Sequence, residues 1–423
     1  MHSHYIFVTI YITNKGGGLV LKEISFIHAA DLHIDSPFQG LSEAPNRIFK
    51  EIRESTFLAL DKLVHTAIEK EVDFVLLVGD LFDHEIQSLK AQIRLRQAFE
   101  KLARHHIDVF LSYGNHDYLS GNVHSVSFPD NVHVFPSEKV QYIPYKKSGE
   151  SLAHIYGFSY VQRVIKENKA KEYKVENPSV PFHIATLHGS IKSNKDHDVY
   201  APFTIGDLRR ESFDYWALGH IHKAQELDGE PPIVYAGNTQ GRHRLEDGEK
   251  GCYHVTLSEK GAELEFIPLQ AIKFQAMKLD LKSYGDMYEA KQDFLDKLTR
   301  ATSNTPLLID LTVKNSDTLA FENEEEIAEF LELVHEETVE KRLWQYVFRL
   351  ELEEIDHDRL TLGEHFISEL LKQFEHLDVS HSLEDLLGHR LGKKHIQSFT
   401  DEEKERIKDK SEAYLLKSLQ DKG

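Results

Sequence analysis

The sequence predicts an α/β layered domain over residues 21–270, a small α/β cap over 271–358 and a helical tail over 359–423. Short runs rich in β-branched and aromatic residues alternate with segments whose apolar residues recur every three or four positions. This pattern is typical of strands and helices that alternate in a layered α/β fold. A length of 423 residues is also too great for one ordinary domain, so two or three domains are expected.

The first domain contains five apolar runs that predict buried strands. They are ISFIHAA, VDFVLLV, IDVFLSY, FHIATL and FDYWAL. Helices are predicted at 45–70 and 87–105, because both segments carry apolar residues at helical spacing. A mixed segment at 140–180 predicts a strand at His154–Phe158 and then, in its lysine-rich stretch, a loop with a helical piece. The runs PPIVYAGN and GCYHVTLSEKGAELEFIPL predict the strands that complete the sheets.

The cap is predicted from three further strand-like runs separated by two helices. The runs are FQAMKLDLK, PLLIDLTVK and LWQYVFRLELEE, and the helices lie at about 286–301 and 323–341. A β-α-β-α-β order of this kind indicates a small α/β unit. From residue 360 onward the pattern is helical in three pieces, which defines the tail.

Residues 1–20 form an N-terminal extension that has two interpretations. The YIFVTIYI run predicts an edge strand. Alternatively, the peptide Lys15-Gly16-Gly17-Gly18 is what a purine-rich ribosome-binding sequence would encode, and the true start is then Val20 or Leu21. The residues alone leave both interpretations open.

Composition excludes several classes of protein. No apolar stretch approaches the ~20 residues that a membrane span requires. The N-terminal apolar run lacks the preceding basic residues and the cleavage site of a secretory signal. The single cysteine, Cys252, excludes an internal disulfide framework and a cysteine-rich zinc site, and it favours a reducing, cytoplasmic location.

The net charge of −20 argues against a protein that coats DNA with its whole surface. The charge is uneven, because residues 271–423 carry 21 basic and 34 acidic side chains. Nine acidic residues and no basic residue lie between Phe321 and Glu340. We interpret this run as a solvated helix face, and the alternative is a docking surface for a basic partner.

Metal-binding side chains follow each of the five predicted strands. The five strings are Asp31-Leu32-His33, Gly79-Asp80, Gly114-Asn115-His116-Asp117, Leu187-His188-Gly189 and Gly219-His220-Ile221-His222. The carboxyl ends of parallel strands are where α/β proteins place their ligand sites. A glycine accompanies four of the five strings, where the chain must turn sharply. The sequence therefore predicts a metal site at this edge of the domain.

Seven side chains are predicted metal ligands. They are Asp31, His33, Asp80, Asn115, His188, His220 and His222. Asp, Asn and His together suit Mn²⁺, Fe²⁺ or Zn²⁺. Seven ligands exceed the needs of one tetrahedral ion and suit two ions that share a bridging carboxylate, roughly 3.5–4 Å apart, and clamp a phosphoryl group. His116 is predicted to be a general acid that protonates the leaving alkoxide or stabilises the equatorial oxygens.

Asp83 follows Asp80 by three residues and has two interpretations. One is a helix N-cap. The other is a carboxylate that bonds a ring nitrogen of His116, fixes its tautomer and raises its pKa, with His84 as an alternative in its place. Further candidates for supporting or substrate-binding roles are Asp117, His84, Arg242 and His243. His28, His65 and His154 are interpreted as structural.

These motifs resemble those of the calcineurin-like metallophosphoesterases and, within them, the SbcD-type DNA double-strand-break nucleases, most of all their YhaO-like branch. The resemblance rests on FIHAADLHIDSPF (26–38), VGDLFD (78–83), YGNHD (113–117), LHGS (187–190), LGHIH (218–222) and YAGNTQGRH (235–243). It is specific over about 21–260 and weak over 271–355. The segment 237–243 departs from the Pro-Gly-Ser form that is usual in the nuclease family.

The resemblance implies a four-layer αββα sandwich with two central sheets and Mn²⁺-dependent hydrolysis of phosphodiester bonds. Its ligand pattern would place Asp31, His33 and His222 on one ion and Asn115, His188 and His220 on the other. Asp80 would bridge the two ions. The resemblance also implies a homodimer built by helices of the phosphoesterase domain, a coiled-coil ATPase partner of the SbcC type, and DNA ends or single-stranded regions as substrate.

Three functions remain open on the sequence alone. The first is a nuclease subunit of a double-strand-break repair complex. The second is a phosphodiesterase that acts on nucleotides or other small phosphoesters, and the third is a non-catalytic assembly subunit for an ATPase. The cap and the tail favour the nuclease, and the complete ligand set disfavours a vestigial site. The tail is predicted to dock the ATPase.

Overall fold

The structure is a computed structural model that describes residues 22–38, 40–41, 43–83, 87–121, 126–192, 200–227, 229–301, 304–316, 318–321 and 323–353, together with Lys408 and Ser411. The expectations for residues 1–20, for His84 and for the helical tail over 359–423 lie outside the described residues, apart from Lys408 and Ser411. The chain divides into two compact units, of which the first ends at Leu352 and the second begins at Glu353. The sheets and the candidate site all belong to the first unit. In the part of the chain that is described, no helix is both long enough and apolar enough to cross a membrane.

The first unit alternates strands and helices, as the sequence predicts. Its strands are β1 (Glu23–Ala29), β2 (Phe74–Val78), β3 (Asp108–Ser112), β4 (Val132–Val134), β5 (Gln141–Lys147), β6 (Glu150–Gly157), β7 (Phe182–His188), β8 (Tyr215–Gly219), β9 (Gln225–Leu227), β10 (Ile233–Tyr235), β11 (Gly251–Ser258), β12 (Gly261–Pro268), β13 (Lys273–Asp280), β14 (Leu307–Lys314) and β15 (Gln345–Leu352). Its helices are α1 (Asn46–Glu69), α2 (Leu89–Arg104), α3 (Ile205–Leu208), α4 (Met287–Ala301) and α5 (Glu324–Thr338), with 3-10 turns at Lys169–Glu172 and Leu281–Ser283.

The first six-stranded sheet has the order β12-β11-β1-β2-β3-β4. Strands β1 to β4 run parallel to one another. Strand β11 pairs antiparallel to β1, and β12 pairs antiparallel to β11. Strand β2 is buried along its whole length, and β1 and β3 are buried at their carboxyl ends. Parallel strands covered on both faces are continuous apolar runs rather than alternating ones, which is why the sequence predicts them so clearly.

The second six-stranded sheet has the order β5-β6-β7-β8-β10-β9. Its four central strands, β6, β7, β8 and β10, are parallel, and the edge strands β5 and β9 are antiparallel to their neighbours. Strands β7 and β8 lie side by side, so their carboxyl ends emerge at the same edge of the sheet.

The two sheets pack face to face through an aromatic and aliphatic core. Phe26 and Phe74 of the first sheet stack with ring centroids 5.0 Å apart. The ring of Tyr215, from the second sheet, meets Phe26 edge-on at 5.5 Å. All three side chains are fully buried. The burial of such large apolar side chains between the sheets holds the sandwich together.

His28 is a polar residue within this core and joins the two sheets. Its Nδ1 accepts from the Tyr215 hydroxyl at 3.0 Å, and its Nε2 lies 3.2 Å from the carbonyl oxygen of Leu218. Burial lowers the pKa of His28 to about 3, although the hydrogen bond to the Leu218 carbonyl opposes the shift. The ring is therefore neutral at neutral pH.

The outer faces of the two sheets are covered differently. Helices α1 and α2 cover the first sheet with apolar side chains such as Phe57 and Phe99. The second sheet is covered by α3, the turn at Lys169–Glu172 and loop residues that include Tyr173 and Phe203. The four-layer sandwich is thus present, with one outer layer made of short helical pieces and loops. The loop with a helical piece predicted within 140–180 corresponds to this turn.

A third sheet follows the sandwich and has the order β13-β14-β15, with all strands parallel. Helices α4 and α5 connect the strands, so the predicted β-α-β-α-β order is confirmed. One face of the sheet packs on α4 and α5. Residues near the other face, including Trp344, pack on Ile48 and Ile52 of α1, and the Trp344 indole donates to Glu51 Oε2 at 2.6 Å.

Candidate metal centre

The carboxyl ends of five strands converge at one edge of the sandwich and carry all seven predicted ligands. In the first sheet, Asp31 and His33 follow β1, Asp80 follows β2 and Asn115 follows β3. In the second sheet, His188 ends β7, and His220 and His222 follow β8. These strands are adjacent and parallel within each sheet, which is why residues so distant in sequence meet.

Asp31, His33 and His222 form the first group, whose ligand atoms lie within 4.8 Å of one another. The Nε2 atoms of His33 and His222 are 3.2 Å apart. His222 Nε2 is also 3.8 Å from Asp31 Oδ1. Two neutral imidazoles that direct ring nitrogens at each other at this distance need a proton or a cation between them. The donor set of two nitrogens and a carboxylate therefore fits a divalent ion of borderline hardness.

Asp31, Asp80 and His188 form a second group with the same spacing of ligand atoms. His188 Nε2 lies 3.4 Å from Asp80 Oδ2 and 3.0 Å from Asn115 Oδ1. The same oxygen of Asn115 is 3.2 Å from Nδ1 of His220. Asn115 and His220 therefore extend this group, and the donor set again fits a divalent ion.

Two carboxylates connect the groups. Asp31 belongs to both. Asp80 Oδ2 lies between them, 3.9 Å from His33 Nε2 and 3.4 Å from His188 Nε2. The position of Asp80 agrees with the bridging role implied by the family resemblance, and Asp31 is placed so that it could contact either ion.

The backbone at the ligands is held in an unusual conformation. Asp31, His33, Asp80 and His220 have φ angles of 50°, 41°, 50° and 94°. Non-glycine residues rarely adopt positive φ, and such residues cluster at functional sites where the surrounding structure imposes them. Here the positive φ angles turn the chain just after a strand, so that neighbouring residues such as Asp31 and His33 both direct their side chains into the candidate site.

Two glycines allow the close approach of the ligand loops. A Cβ on Gly79, whose φ is 76°, would lie 2.2 Å from His188 Nδ1. A Cβ on Gly114 would lie 2.2 Å from Asp80 Oδ1. Both distances are far below contact distance, so glycine is required beside these ligands.

Backbone hydrogen bonds orient several ligands. His188 Nδ1 donates to the carbonyl of Val78 at 3.0 Å, which leaves Nε2 free to bind a cation. The backbone N–H of His220 donates to both carboxylate oxygens of Asp31, at 3.1 and 3.0 Å. The backbone N–H of His116 donates to Asp80 Oδ1 at 3.0 Å. Each carboxylate is therefore fixed by the strand-end loop of another ligand.

The site histidines have divergent pKa values. Burial and the charge of Arg242 lower the pKa of His33 to about 3. Burial and the charge of His188 lower the pKa of His220 to about 3. Burial also acts to lower the pKa of His188, but the neighbouring Asp80 carboxylate outweighs it and raises the value to about 9. His33 and His220 are thus neutral and ready to bind a cation, whereas His188 binds a proton that a cation beside Asp80 would displace.

The contact between His116 and Asp83 differs from the sequence expectation. His116 Nδ1 lies 2.9 Å from the backbone carbonyl oxygen of Asp83, rather than from its carboxylate. The carboxylate instead accepts from the Arg242 guanidinium and lies 3.4 Å from His33 Nδ1. The expected carboxylate–imidazole bond is therefore wrong in its atom, because the arginine competes for the carboxylate. The ring of His116 stands edge-on to that of His33, with centroids 5.1 Å apart.

The other candidates have distinct positions. The carboxylate of Asp117 accepts from the backbone N–H groups of Gly114 and Leu81, both at 2.7 Å, and so joins the loops after β2 and β3. His243 is about half exposed and lies 3.2 Å from Glu246. Asp117 thus holds together the two loops that carry Asp80 and Asn115.

Glu246 belongs to the site, although sequence reasoning missed it. Its Oε1 accepts from His222 Nδ1 at 2.5 Å. Burial acts to raise the pKa of Glu246, but hydrogen bonds from His222 and His243 and the charge of Arg242 hold it well below its usual range. No spacing rule singles out this residue. The one available signal is that an acidic residue follows closely on the segment 237–243, which departs from the usual family form.

The chain matches a protein family and is similar to a number of known proteins. Residues 24–224 match the family described as calcineurin-like phosphoesterase. The uncharacterized metallophosphoesterase YhaO of Bacillus subtilis is 37% identical over 406 residues, which cover 95% of this chain and 99% of that protein. The DNA double-strand break repair protein Mre11 of Thermoplasma acidophilum is 28% identical over 280 residues, 62% of this chain and 69% of its own. A solved dimetal phosphatase from Danio rerio covers 58% of this chain and 99% of its own, with 13% identity and a TM-score of 0.36.

Proposed function

The chain belongs to the calcineurin-like metallophosphoesterases, and we propose that it is a DNA nuclease subunit of a double-strand-break repair complex of the SbcD type. The observation that carries the proposal is that two groups of candidate metal-binding side chains meet at one site. His116 lies beside them, and its ring nitrogen Nδ1 contacts the carbonyl oxygen of Asp83 rather than a member of either group. The similarity to an Mre11 protein supports DNA as the substrate.

In this proposal Asp31, His33 and His222 bind one divalent ion, and Asn115, His188 and His220 bind the other. Asp80 bridges them. Mn²⁺ is the first choice, and Fe²⁺ and Zn²⁺ fit the same donors. Two such ions supply the positive charge that polarises a phosphodiester and activates water.

His116 is proposed to act as the general acid. Its Nδ1–H donates to the Asp83 carbonyl, so Nε2 is the nitrogen left to exchange a proton with the leaving oxygen. The backbone N–H of His116 donates to Asp80 Oδ1 at 3.0 Å, so the proposed acid is held beside the proposed bridging carboxylate.

A homodimer is part of the proposal. Leu58 of α1 and Leu89 and Ile93 of α2 are 45%, 58% and 40% exposed. An interface between subunits needs exposed apolar side chains, and these three supply them on neighbouring helices. We therefore propose that α1 and α2 meet the same helices of a second copy.

An ATPase of the SbcC type is the proposed partner in the cytoplasm, and the tail over 359–423 is its proposed docking segment. The acidic balance of residues 271–423 supports a protein partner for this part of the chain, because net negative charge repels DNA phosphates. Partner binding after truncation at residue 358 tests this assignment. Unchanged binding of the ATPase together with weakened DNA binding would contradict it.

Hydrolysis assays on two substrates test the activity. The purified full chain with Mn²⁺ is expected to cleave both an aryl phosphodiester and linear DNA, assayed as blunt, nicked and single-stranded forms. His116→Ala should abolish both activities while metal content stays at two ions. Asp296→Asn on α4, an exposed carboxylate outside the site, is the matched control and should behave as wild type. Cleavage of the aryl diester without DNA would favour a small-molecule phosphodiesterase, and the absence of both would favour an assembly subunit.

A further inference from the structure

The loop between β10 and β11 holds a buried carboxylate, Glu246, with several donors around it, among them the His243 ring, whose Nε2 lies 3.2 Å from Oε1. Glu246 is 6% exposed. Its Oε1 accepts from His222 Nδ1 at 2.5 Å. Its Oε2 accepts from the side-chain amide of Asn238 and from the backbone N–H of Arg242, both at 2.8 Å. The carboxylate thus fixes a proposed metal ligand and the shape of its own loop at once.

The same loop directs Arg242 to the other side of the site. The guanidinium of Arg242 donates to Asp83 Oδ1 across 159 positions of sequence. The backbone carbonyl of Asp83 is in turn the partner of His116 Nδ1. A chain of contacts therefore runs from Glu246 through Arg242 and Asp83 to the proposed acid.

The contact with Glu246 determines which nitrogen of His222 can bind a cation. A carboxylate accepts a hydrogen bond and donates none, so the proton of the neutral ring must lie on Nδ1. Nε2 then carries the lone pair, and Nε2 is the atom that lies 3.2 Å from His33 Nε2. A carboxylate behind a histidine ligand also fixes the orientation of the ring.

We propose that Glu246 and Arg242 form a clamp in which Glu246 positions His222 for one metal ion and carries Arg242 to Asp83, and so positions His116. Both are positioning residues rather than catalytic ones. The inference rests on the two-ion site proposed above and adds to it the loop between β10 and β11. It also assigns a role to the segment 237–243, where the chain departs from the usual family form.

Two substitutions of Glu246 separate positioning from space filling. Glu246→Gln keeps the volume of the side chain, but an amide has one acceptor oxygen and an NH₂ group. If the NH₂ faces His222, the ring must accept at Nδ1 and protonate at Nε2, which blocks cation binding. If the oxygen faces His222, the NH₂ group confronts the donors of Asn238 and Arg242. A positioning role therefore predicts that Gln fails nearly as Ala does, whereas a space-filling role predicts that Gln is neutral.

The test measures Mn²⁺ binding to the full chain by isothermal titration calorimetry, with the spin coupling of the bound Mn²⁺ followed by electron paramagnetic resonance. Wild type should bind two ions. Glu246→Ala and Glu246→Gln should each weaken one ion by about 10- to 100-fold, the usual effect of losing such a partner, and leave the other near its wild-type affinity. Asp247→Asn removes the same charge from the exposed neighbouring position and should bind both ions normally.

Thermal melts of the metal-free proteins accompany the titrations. If both Glu246 variants lost both ions in proportion to a lower melting temperature, the residue would serve folding alone and the clamp would be overturned. Wild-type affinity in Glu246→Gln would overturn it as well. A wild-type protein that bound fewer than two ions would overturn the two-ion site itself, and the clamp with it.

The arginine arm of the clamp is tested by activity on the aryl diester. Arg242→Ala should keep both ions and lower kcat by about tenfold with little change in KM, because the acid and not the substrate site is disturbed. Since Glu246 holds the backbone of Arg242, the double variant Glu246→Ala/Arg242→Ala should have a kcat close to that of Glu246→Ala. Multiplicative losses in kcat would show that the two residues act independently and would refute a single clamp.

Discussion

Acid should destabilise the metal-free protein through a residue that lies away from the metal site, His28. The folded protein holds this ring neutral between the two sheets, with its pKa lowered to about 3 by burial. The unfolded chain exposes it, and an exposed histidine has a pKa of about 6.5. Below pH 6.5 the unfolded state therefore binds a proton that the folded state does not. Folding stability is full above that pH and is lost progressively as the pH falls towards 3.

The size of the loss follows from the two pKa values. Each pH unit between them costs about 1.4 kcal/mol, so a drop to pH 5 should remove about 2 kcal/mol of stability through His28 alone. His28→Gln retains an amide that can donate to the Leu218 carbonyl but does not titrate. The variant should be less stable at pH 7.5, because the packing changes, and should lose about 2 kcal/mol less than wild type between pH 7.5 and 5.

Urea unfolding of the metal-free protein at the two pH values measures this difference. The ligand histidines titrate in both proteins, so they cancel in the comparison. His65→Gln, on the exposed face of α1, is the matched control and should keep the wild-type dependence on pH. An equal loss of stability on acidification in wild type and His28→Gln would refute the reasoning, since it would mean that the folded protein accommodates a charged ring at this position.

Three further predictions concern the site and the subunit interface. Asp80→Ala should lose both ions, and two ions in the purified variant, measured by inductively coupled plasma spectrometry, would contradict the bridging role. Gly79→Ala should weaken Mn²⁺ binding more than tenfold, because the new Cβ would lie 2.2 Å from His188 Nδ1, and calorimetry checks this directly. Leu89→Glu combined with Ile93→Glu should convert a dimer to a monomer in light scattering while hydrolysis of the aryl diester persists; a dimer of unchanged mass would place the interface elsewhere.

The elements of the fold were predictable because their patterns are local. The five apolar runs before the ligands and the helices α1 and α2 all appear where the sequence predicts them, since parallel strands buried on both faces and amphipathic helices each carry a distinctive period. The order β8-β10-β9 was not predictable, because the pairing of short strands depends on the sheet already formed. The reduced outer layer over the second sheet also escaped prediction, since isolated aromatic residues such as Tyr173 cover it without any period.

The candidate site was predictable to the extent that each ligand sits in a short string after a strand. Glu246 and the partner of Asp83 were not, because both depend on contacts made by one loop with distant parts of the chain. Asp83 has Arg242 as its partner across 159 positions, and no local pattern records such a contact. Sequence reasoning therefore found the side chains that converge at the ends of the strands and missed the residues that contact those side chains from the loop after β10.

The proposed metal ligands are divided between the two sheets, and this division has a mechanical consequence. Asp31, Asp80 and Asn115 come from the first sheet, and His188 and His220 come from the second. Ions bound at this site would link the two sheets, so the sheets could separate only if the ions dissociated. At 100 times its dissociation constant, each ion then adds about 2.7 kcal/mol to the free energy of unfolding. The melting temperature therefore reports how much of the protein has bound ions. Melts at increasing concentrations of Mn²⁺ and of other metals would rank the metals and the ligand variants by affinity without any substrate.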